Sequence, residues 1–252
     1  MKYVVVLLCL IHVFYSHEQV NLTDEQGRKQ GEWIKYWKSS DNTAVQYTGH
    51  FIDNQPVGQF WHYYPTGEVR AVIEHISPIQ SFATYYFKNK QMMSEGMYKE
   101  QKRDSIWINY NNIGQTVSLE KYREGKLEGN KILFYLRDQL ERGEIVVLSQ
   151  TRYEDSIKNG PYREFFSSGN IKQTGQYMND KPTGKWLRYS AIGYMDQSVR
   201  YKYGVKHGWA TDYNQKGEVV NRSLYFKGNV LSGKEKTAYL KMCKKKGIDP
   251  ND

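Results

Sequence analysis

Aromatic, glycine and polar positions recur along this chain in a fixed order. From Gly160 it reads GPYREFFSSGNIKQTGQYMNDKPTG, and from Gly184 it begins again as GKWLRYSAIGYMDQSVRYKYGVKHG. Counting from Gly31, Gly58, Gln80, Ser105, Gly129, Gly160, Gly184 and Gly208, with Gly233 closing the series, the steps run from 22 to 31 residues. A period of this length marks a repeat architecture, one elongated domain of units that touch only their neighbours. The fifth position after each opener is Tyr36, Tyr63, Tyr85, Tyr110, Phe134, Phe165, Tyr189 and Tyr213, aromatic every time. The second is Trp33, Phe60, Phe82, Trp107, Tyr162 and Trp186, with Lys131 and Ala210 the exceptions. The ninth is Gly67, Gly114, Gly169, Gly193 or Gly217, and otherwise Ser40, Asn89 or Asp138, all turn-tolerant types.

This spacing predicts one β-hairpin per unit, and so an all-β array of about eight. The first strand runs from the opener through the fifth or sixth position and carries the β-favouring aromatics. A glycine turn leads to a second strand with Val69, Ile171 or Val219, then a late tyrosine (Tyr122, Tyr177, Tyr201, Tyr225). A linker such as NDKPTG or YGVKHG reaches the next opener. The second and fifth positions differ in parity, so aromatics line both faces of a single-layered sheet.

Two places break the rule. The unit from Gly129 is 31 residues long, its excess falling in Arg137–Ser156, read as a longer hairpin. The block Ala71–Gln80 is interrupted by Pro78. Departures from a repeat's own rule are where specific contacts are expected. The first holds Arg137, Arg142, Arg152 and Tyr153, types enriched at interface hot spots, and they are the candidate partner-binding residues.

The ends differ from the array of residues 26–233. Met1–Ser16 is a Lys-led apolar stretch, too short to span a membrane, followed by the polar segment 17–25. That is a signal-peptide pattern, and export to the periplasm, cell envelope or medium of a bacterium is expected. Residues 234–252 switch to helical spacing, with Ala238, Tyr239, Met242 and Cys243 on one face and Gly247 as the stop. A short basic capping helix is predicted, since repeat arrays need a cap.

Charge changes the picture little. The balance is +9, but lysines and arginines alternate with acids along the repeats, as on a solvated strand face. No concentrated basic stripe marks a nucleic-acid site. Only Lys234–Lys246 is dense, with six lysines against Glu235. Cys9 lies in the leader, leaving Cys243 without an intramolecular partner. The six histidines have no metal-ligand spacing. No G-x-S-x-G, H-E-x-x-H or P-loop occurs, so no catalytic residue, cofactor or metal is expected. Asn21-Leu22-Thr23 and Asn221-Arg222-Ser223 are sequons, meaningful only in a eukaryotic host.

The pattern G-x-[WY]-x-x-[YF]-[YF]-x-x-x-G-x-[IVM], then Tyr, then K-x-x-G, resembles the bacterial variant of the MORN repeat from about Gln26 to Gly233. The resemblance implies stacked β-hairpins and a non-catalytic role in protein–protein contact, oligomerisation or membrane association. Gln80 and Lys131 depart from the pattern and are expected to alter local curvature. Choline- and glucan-binding cell-wall repeats are also similar in their short aromatic hairpins. Their usual Gly-Trp start occurs only at Gly208-Trp209, and their period is shorter. The reading is an exported scaffold for an unidentified protein partner. The alternatives are a cell-envelope glycan or a membrane surface.

Overall fold

The computed structural model describes residues 19–38, 43–136 and 145–251. The leader 1–16 and the ninth positions Ser40 and Asp138 lie outside the described residues.

Among the described residues the chain is one open, antiparallel 18-stranded sheet followed by a single helix. The strands follow one another in chain order. They begin with β1 (Leu22–Thr23), β2 (Lys29–Tyr36), β3 (Val45–Ile52), β4 (Gln55–Tyr63), β5 (Val69–Ser77) and β6 (Gln80–Tyr86). Next come β7 (Met92–Lys99), β8 (Lys102–Tyr110), β9 (Thr116–Arg123), β10 (Lys126–Phe134), β11 (Val147–Glu154) and β12 (Ile157–Phe165). The last are β13 (Ile171–Met178), β14 (Lys181–Tyr189), β15 (Met195–Lys202), β16 (Val205–Tyr213), β17 (Val219–Phe226) and β18 (Asn229–Leu231). Both terminal strands are very short, which leaves little unpaired edge.

The hairpins are cut differently from the sequence reading. The expected linker is a two-residue turn plus the start of the next strand. Asn179 and Asp180, at φ 50° and 63°, form a type I′ turn, and Lys181-Pro182-Thr183 already belong to β14. Gly184 therefore sits inside a strand, at φ 65°, where the register with β13 shifts between Thr174 and Gln176. This is a bulge, and it needs the positive φ that glycine reaches without strain. Ser105 takes the same conformation, φ 60°, in the unit that lacks the glycine. At the opposite edge of the sheet the turns are three-residue loops closed by the ninth position. Tyr64 N–H donates to the Glu68 carbonyl (2.8 Å) around Gly67 at φ 96°.

The third unit is displaced by one residue. Ser77, Pro78, Ile79 and Gln80 make its turn, and the register shift falls in β5, between His75 and Ser77, instead of at the opener of β6, with Ser81 opposite His75 and Ala83 opposite Ile73. Its opener is thus Ser81 instead of Gln80, its second position Ala83 instead of Phe82, and its fifth Tyr86 instead of Tyr85. The ninth becomes Lys90, at φ 69°, instead of Asn89. Phe82 turns to the opposite face. Ala71–Ser77, expected to be irregular, is strand with Ala71 buried; the irregularity is confined to the register shift between His75 and Ser77 and the Pro78–Ile79 turn that follows.

The helix α1 (Gly233–Lys246) ends as predicted at Gly247, which is left-handed at φ 65°. The Gly247 and Ile248 N–H groups return to the Lys244 (3.3 Å) and Cys243 (3.0 Å) carbonyls. Glu235 near its start and Lys244–Lys246 near its end complement its dipole. Tyr239, Leu240 and Cys243 turn inward, Cys243 fully buried, whereas Ala238 faces solvent and does not join that face. Tyr239 packs on Phe226 at 4.9 Å, so α1 closes the C-terminal end of the array.

Candidate functional site

Strand alternation gives the sheet two unlike faces. On one, each second-position residue lies against the residue two places before the late aromatic of the preceding strand. Trp107 lies over Gly96, and Trp186 over Gly175, so closely that a Cβ on Gly96 would stand 2.5 Å from the indole and one on Gly175 2.2 Å. Phe60 sits likewise over Gly49. Where the large ring is missing its partner is larger. Ala83 faces Ile73, Ala210 faces Val199, and Lys131 faces Glu120. Volume at this site is shared between the two strands, as close packing requires.

The Glu120–Lys131 site is ionic. Lys131 Nζ lies 2.7 Å from Glu120 Oε1, and the Tyr122 hydroxyl donates to Oε2 at 2.8 Å. Burial works against the Glu120 carboxylate, but these hydrogen bonds outweigh it and hold the acid below its ordinary range. Arg103 spans the next step, 4.2 Å from the Trp107 ring centre and 3.3 Å from the Tyr122 hydroxyl. Its equivalents recur two places before other openers. Lys29 stands over Trp33 (4.5 Å), Lys158 over Tyr177 (5.0 Å) and Lys206 over Tyr225 (5.0 Å). The late tyrosines are thus the floor for a cation from their own hairpin. Tyr153 is one of them by position, paired with Gly129 across β10 and β11.

The fifth-position aromatics stand on the other face. Tyr63, Tyr110, Phe134, Phe165, Tyr189 and Tyr213 are half-buried there, and Tyr36 is exposed.

The departure at Pro78 opens a groove of about 620 Å³ on the ring-bearing face. His75, Ser81, Tyr85 and Tyr98 form its floor, and Pro78, Ile79 and Gln101 its rim. It exists because Ala83 and Ile73 together stand where other units place a ring. Burial holds the His75 imidazole below its ordinary range, so it is neutral at neutral pH. Burial, then the 3.1 Å hydroxyl contact with Tyr98, pushes the Tyr85 phenol well above its usual value. The floor is therefore uncharged. It offers hydrogen bonds and ring surface, which suit recognition of a polar or aromatic side chain.

Of the candidate partner-binding residues, Arg137 and Arg142 lie outside the described residues. Arg152 and Tyr153 belong to the regular strand β11 and are not in an insertion; Asp155 and Ser156 are its ordinary turn. The lengthening is confined between the Tyr135 N–H and the Val146 carbonyl, which are hydrogen-bonded at 2.9 Å. Arg152 and Tyr153 point to opposite faces. Arg152 packs its stem at Gly160, while Tyr153 faces the ionic site. The structure does not bring them together. His75, Tyr85 and Tyr98 were not singled out as a site. The signal for them was present as an exchange, a large Ile73 before a small Ala83.

No protein-family model matches the chain, and no curated protein matches it. Among solved structures it is similar to a chain of the Photorhabdus luminescens Tc holotoxin pore, at 12% identity and TM-score 0.22, over 79% of this chain and 11% of that one. It is similar also to a TcdB2–TccC3–TEV crystal structure, at 11% identity and TM-score 0.23, over 87% of this chain and 12% of that one. This chain spans about a tenth of those chains, and likenesses this weak carry no argument about it.

Proposed function

We infer that this is an exported, non-catalytic, MORN-like repeat protein that serves as a protein–protein interaction scaffold. The supporting observation is the third hairpin. There Ala83 and Ile73 stand in place of a ring over glycine, the register shift falls between His75 and Ser77, and a 620 Å³ groove opens with a neutral floor of His75, Ser81, Tyr85 and Tyr98 and with Glu100 among its lining. A protruding polar or aromatic side chain of a partner fits that lining. Choline recognition is disfavoured by the chain's own cations, which already stand over Trp33, Trp107, Tyr177 and Tyr225.

The test is a pull-down from the native envelope with the chain lacking residues 1–16 as bait. A discrete protein partner is expected, and its capture is expected to fall with Ile79→Glu, a change at an exposed rim position. Shortening the 31-residue unit to the common length is the parallel arm, with melting to confirm that each variant folds. Retention on cell wall or choline resin instead of a protein would overturn the reading.

A further inference from the structure

Another cavity lies on the face opposite the groove, at the C-terminal end. It has a volume of about 570 Å³, within the range of small-molecule sites. One wall is α1, through Tyr239, Met242, Cys243 and Lys246, spaced so that all four share a face. The floor is Val205 and Phe226, with Ile248 closing one end. Cys243 is 1% exposed and is the cysteine of the described residues.

The charged side chains among the described lining residues have one sign. Lys227 and Lys246 stand among the described lining residues, none of which is Asp or Glu. The acids of α1 do not reach it, because Glu235 belongs to the first turn, away from Lys246. Elsewhere on the array basic side chains meet acids across neighbouring turns, as Lys126 meets Asp155 (3.1 Å) and Arg123 meets Glu128 (3.1 Å). Here Lys227 and Lys246 flank an apolar cavity that has no acid among its described lining residues. Its electrostatic complement is an anion, and its interior complement is an aliphatic chain.

We propose that the cavity between α1 and the last hairpins binds a single-chain anionic amphiphile, its alkyl chain against Val205, Phe226, Met242 and Cys243 and its head on Lys227 and Lys246. The head is a carboxylate or a monoalkyl phosphate, from a free acid or from a lysolipid. This site is independent of the partner groove, since the two lie on opposite faces and share no residue.

Cys243 reports occupancy. In the full chain carrying Cys9→Ser, its maleimide labelling is measured with decanoate, dodecanoate, dodecyl phosphate, dodecanol and dodecyltrimethylammonium, all below micelle formation. Saturable slowing of at least about tenfold is expected with the anions, and affinity rising about fourfold per added methylene, the worth of burying one. Stronger protection by dodecyl phosphate than by dodecanoate points to a phosphate head, and the reverse to a free acid; either supports the site. The Lys227→Glu/Lys246→Glu variant is expected to weaken both anions at least about tenfold at an unchanged melting temperature. A cavity-filling Val205→Trp variant that melts normally should bind none. Equal protection by the cationic amphiphile, no protection by any, or full binding by the folded Val205→Trp chain would each overturn the proposal.

Discussion

Two neighbouring sites in the middle of the sheet answer one packing problem in opposite ways. Between β7 and β8 a glycine lies beneath a tryptophan that is wholly buried, with Trp107 Nε1 donating to the Met97 carbonyl at 3.0 Å. Between β9 and β10 the same pair of positions holds Glu120 and Lys131 joined at 2.7 Å. The first solution is van der Waals contact without compromise, because a ring and a bare backbone leave no gap and no unpaired charge. The second substitutes an ion pair, whose attraction must offset the cost of removing both charges from water. The array thus maintains a filled volume across each strand pair, and not a particular residue at a particular position. Local volume, shared between strands, is the unit on which the repeat is built.

The comparison can be broken most forcefully at the ring. Trp107→Ala should cost about 3–5 kcal/mol by denaturant melting, because it empties a fully buried site above a glycine that cannot fill it. A loss below about 1 kcal/mol would mean that the neighbouring strands collapse into the space.

At the ionic site, Lys131→Ala should cost about 2 kcal/mol, since it leaves Glu120, only 9% exposed, with the Tyr122 hydroxyl in place of a cation. The sharper version restores the other solution. Glu120→Gly with Lys131→Trp should be more stable than Lys131→Ala and lie within about 1 kcal/mol of the parent. If the double variant is the least stable of the set, volume is not what the two strands share.

On the opposite face the rings are only half-buried. Tyr189→Ala should therefore cost less than Trp107→Ala, about 2 kcal/mol. Equal losses in parallel melts would contradict the inequality of the two faces.

The smallest effect is in pH. Glu120 is held below its ordinary 4.5, so its contribution is complete above that value and is lost as the pH falls through its lower folded value. Lys131 is held above its ordinary 10.5, by hydrogen bonding and charge that outweigh burial. Its contribution is complete below that value and is lost as the pH rises through its higher folded value. His62 and His75 are both held below 6.5 by burial, which favours the fold above 6.5 and withdraws stability as the pH falls from there. Stability should thus begin to decline as the pH falls below about 6.5. In the Glu120→Gly/Lys131→Trp variant the acid limb below pH 4.5 should flatten while the histidine limb persists, as seen in melts across pH.

Much of the fold was legible in the chain because a repeat states its rule several times over. The spacing of Gly160, Tyr162, Phe165 and Gly169, repeated at Gly184, Trp186, Tyr189 and Gly193, announced hairpins, the turns at the ninth position and rings on both faces, while the two-residue turns between units were read as linkers. Gly247 announced the end of α1. What it could not announce was the register of the third unit. Counting residues assigned Gln80, Phe82 and Tyr85, yet Ser77–Gln80 forms a different turn and the register shift falls in β5, between His75 and Ser77, instead of at the opener of β6. A single residue exchanges the faces of a strand, and only the cross-strand pairing records which side each residue took.

The candidate site divides along the same line. That Pro78 marks a departure is written in the sequence. That the departure opens a groove floored by His75, Tyr85 and Tyr98 follows from three strands meeting, and from Ile73 and Ala83 dividing between them a space that other units give to one ring. Arg152 and Tyr153 looked like neighbours in an insertion, but strand alternation sends them to opposite faces and the register makes Tyr153 part of the repeat. Sequence determined the period, the turns and the alternation, because these depend on the backbone conformations of a few adjacent residues. The tertiary structure decided the partners, because volume and charge are balanced between residues ten or eleven apart in the chain that meet only when the sheet is formed.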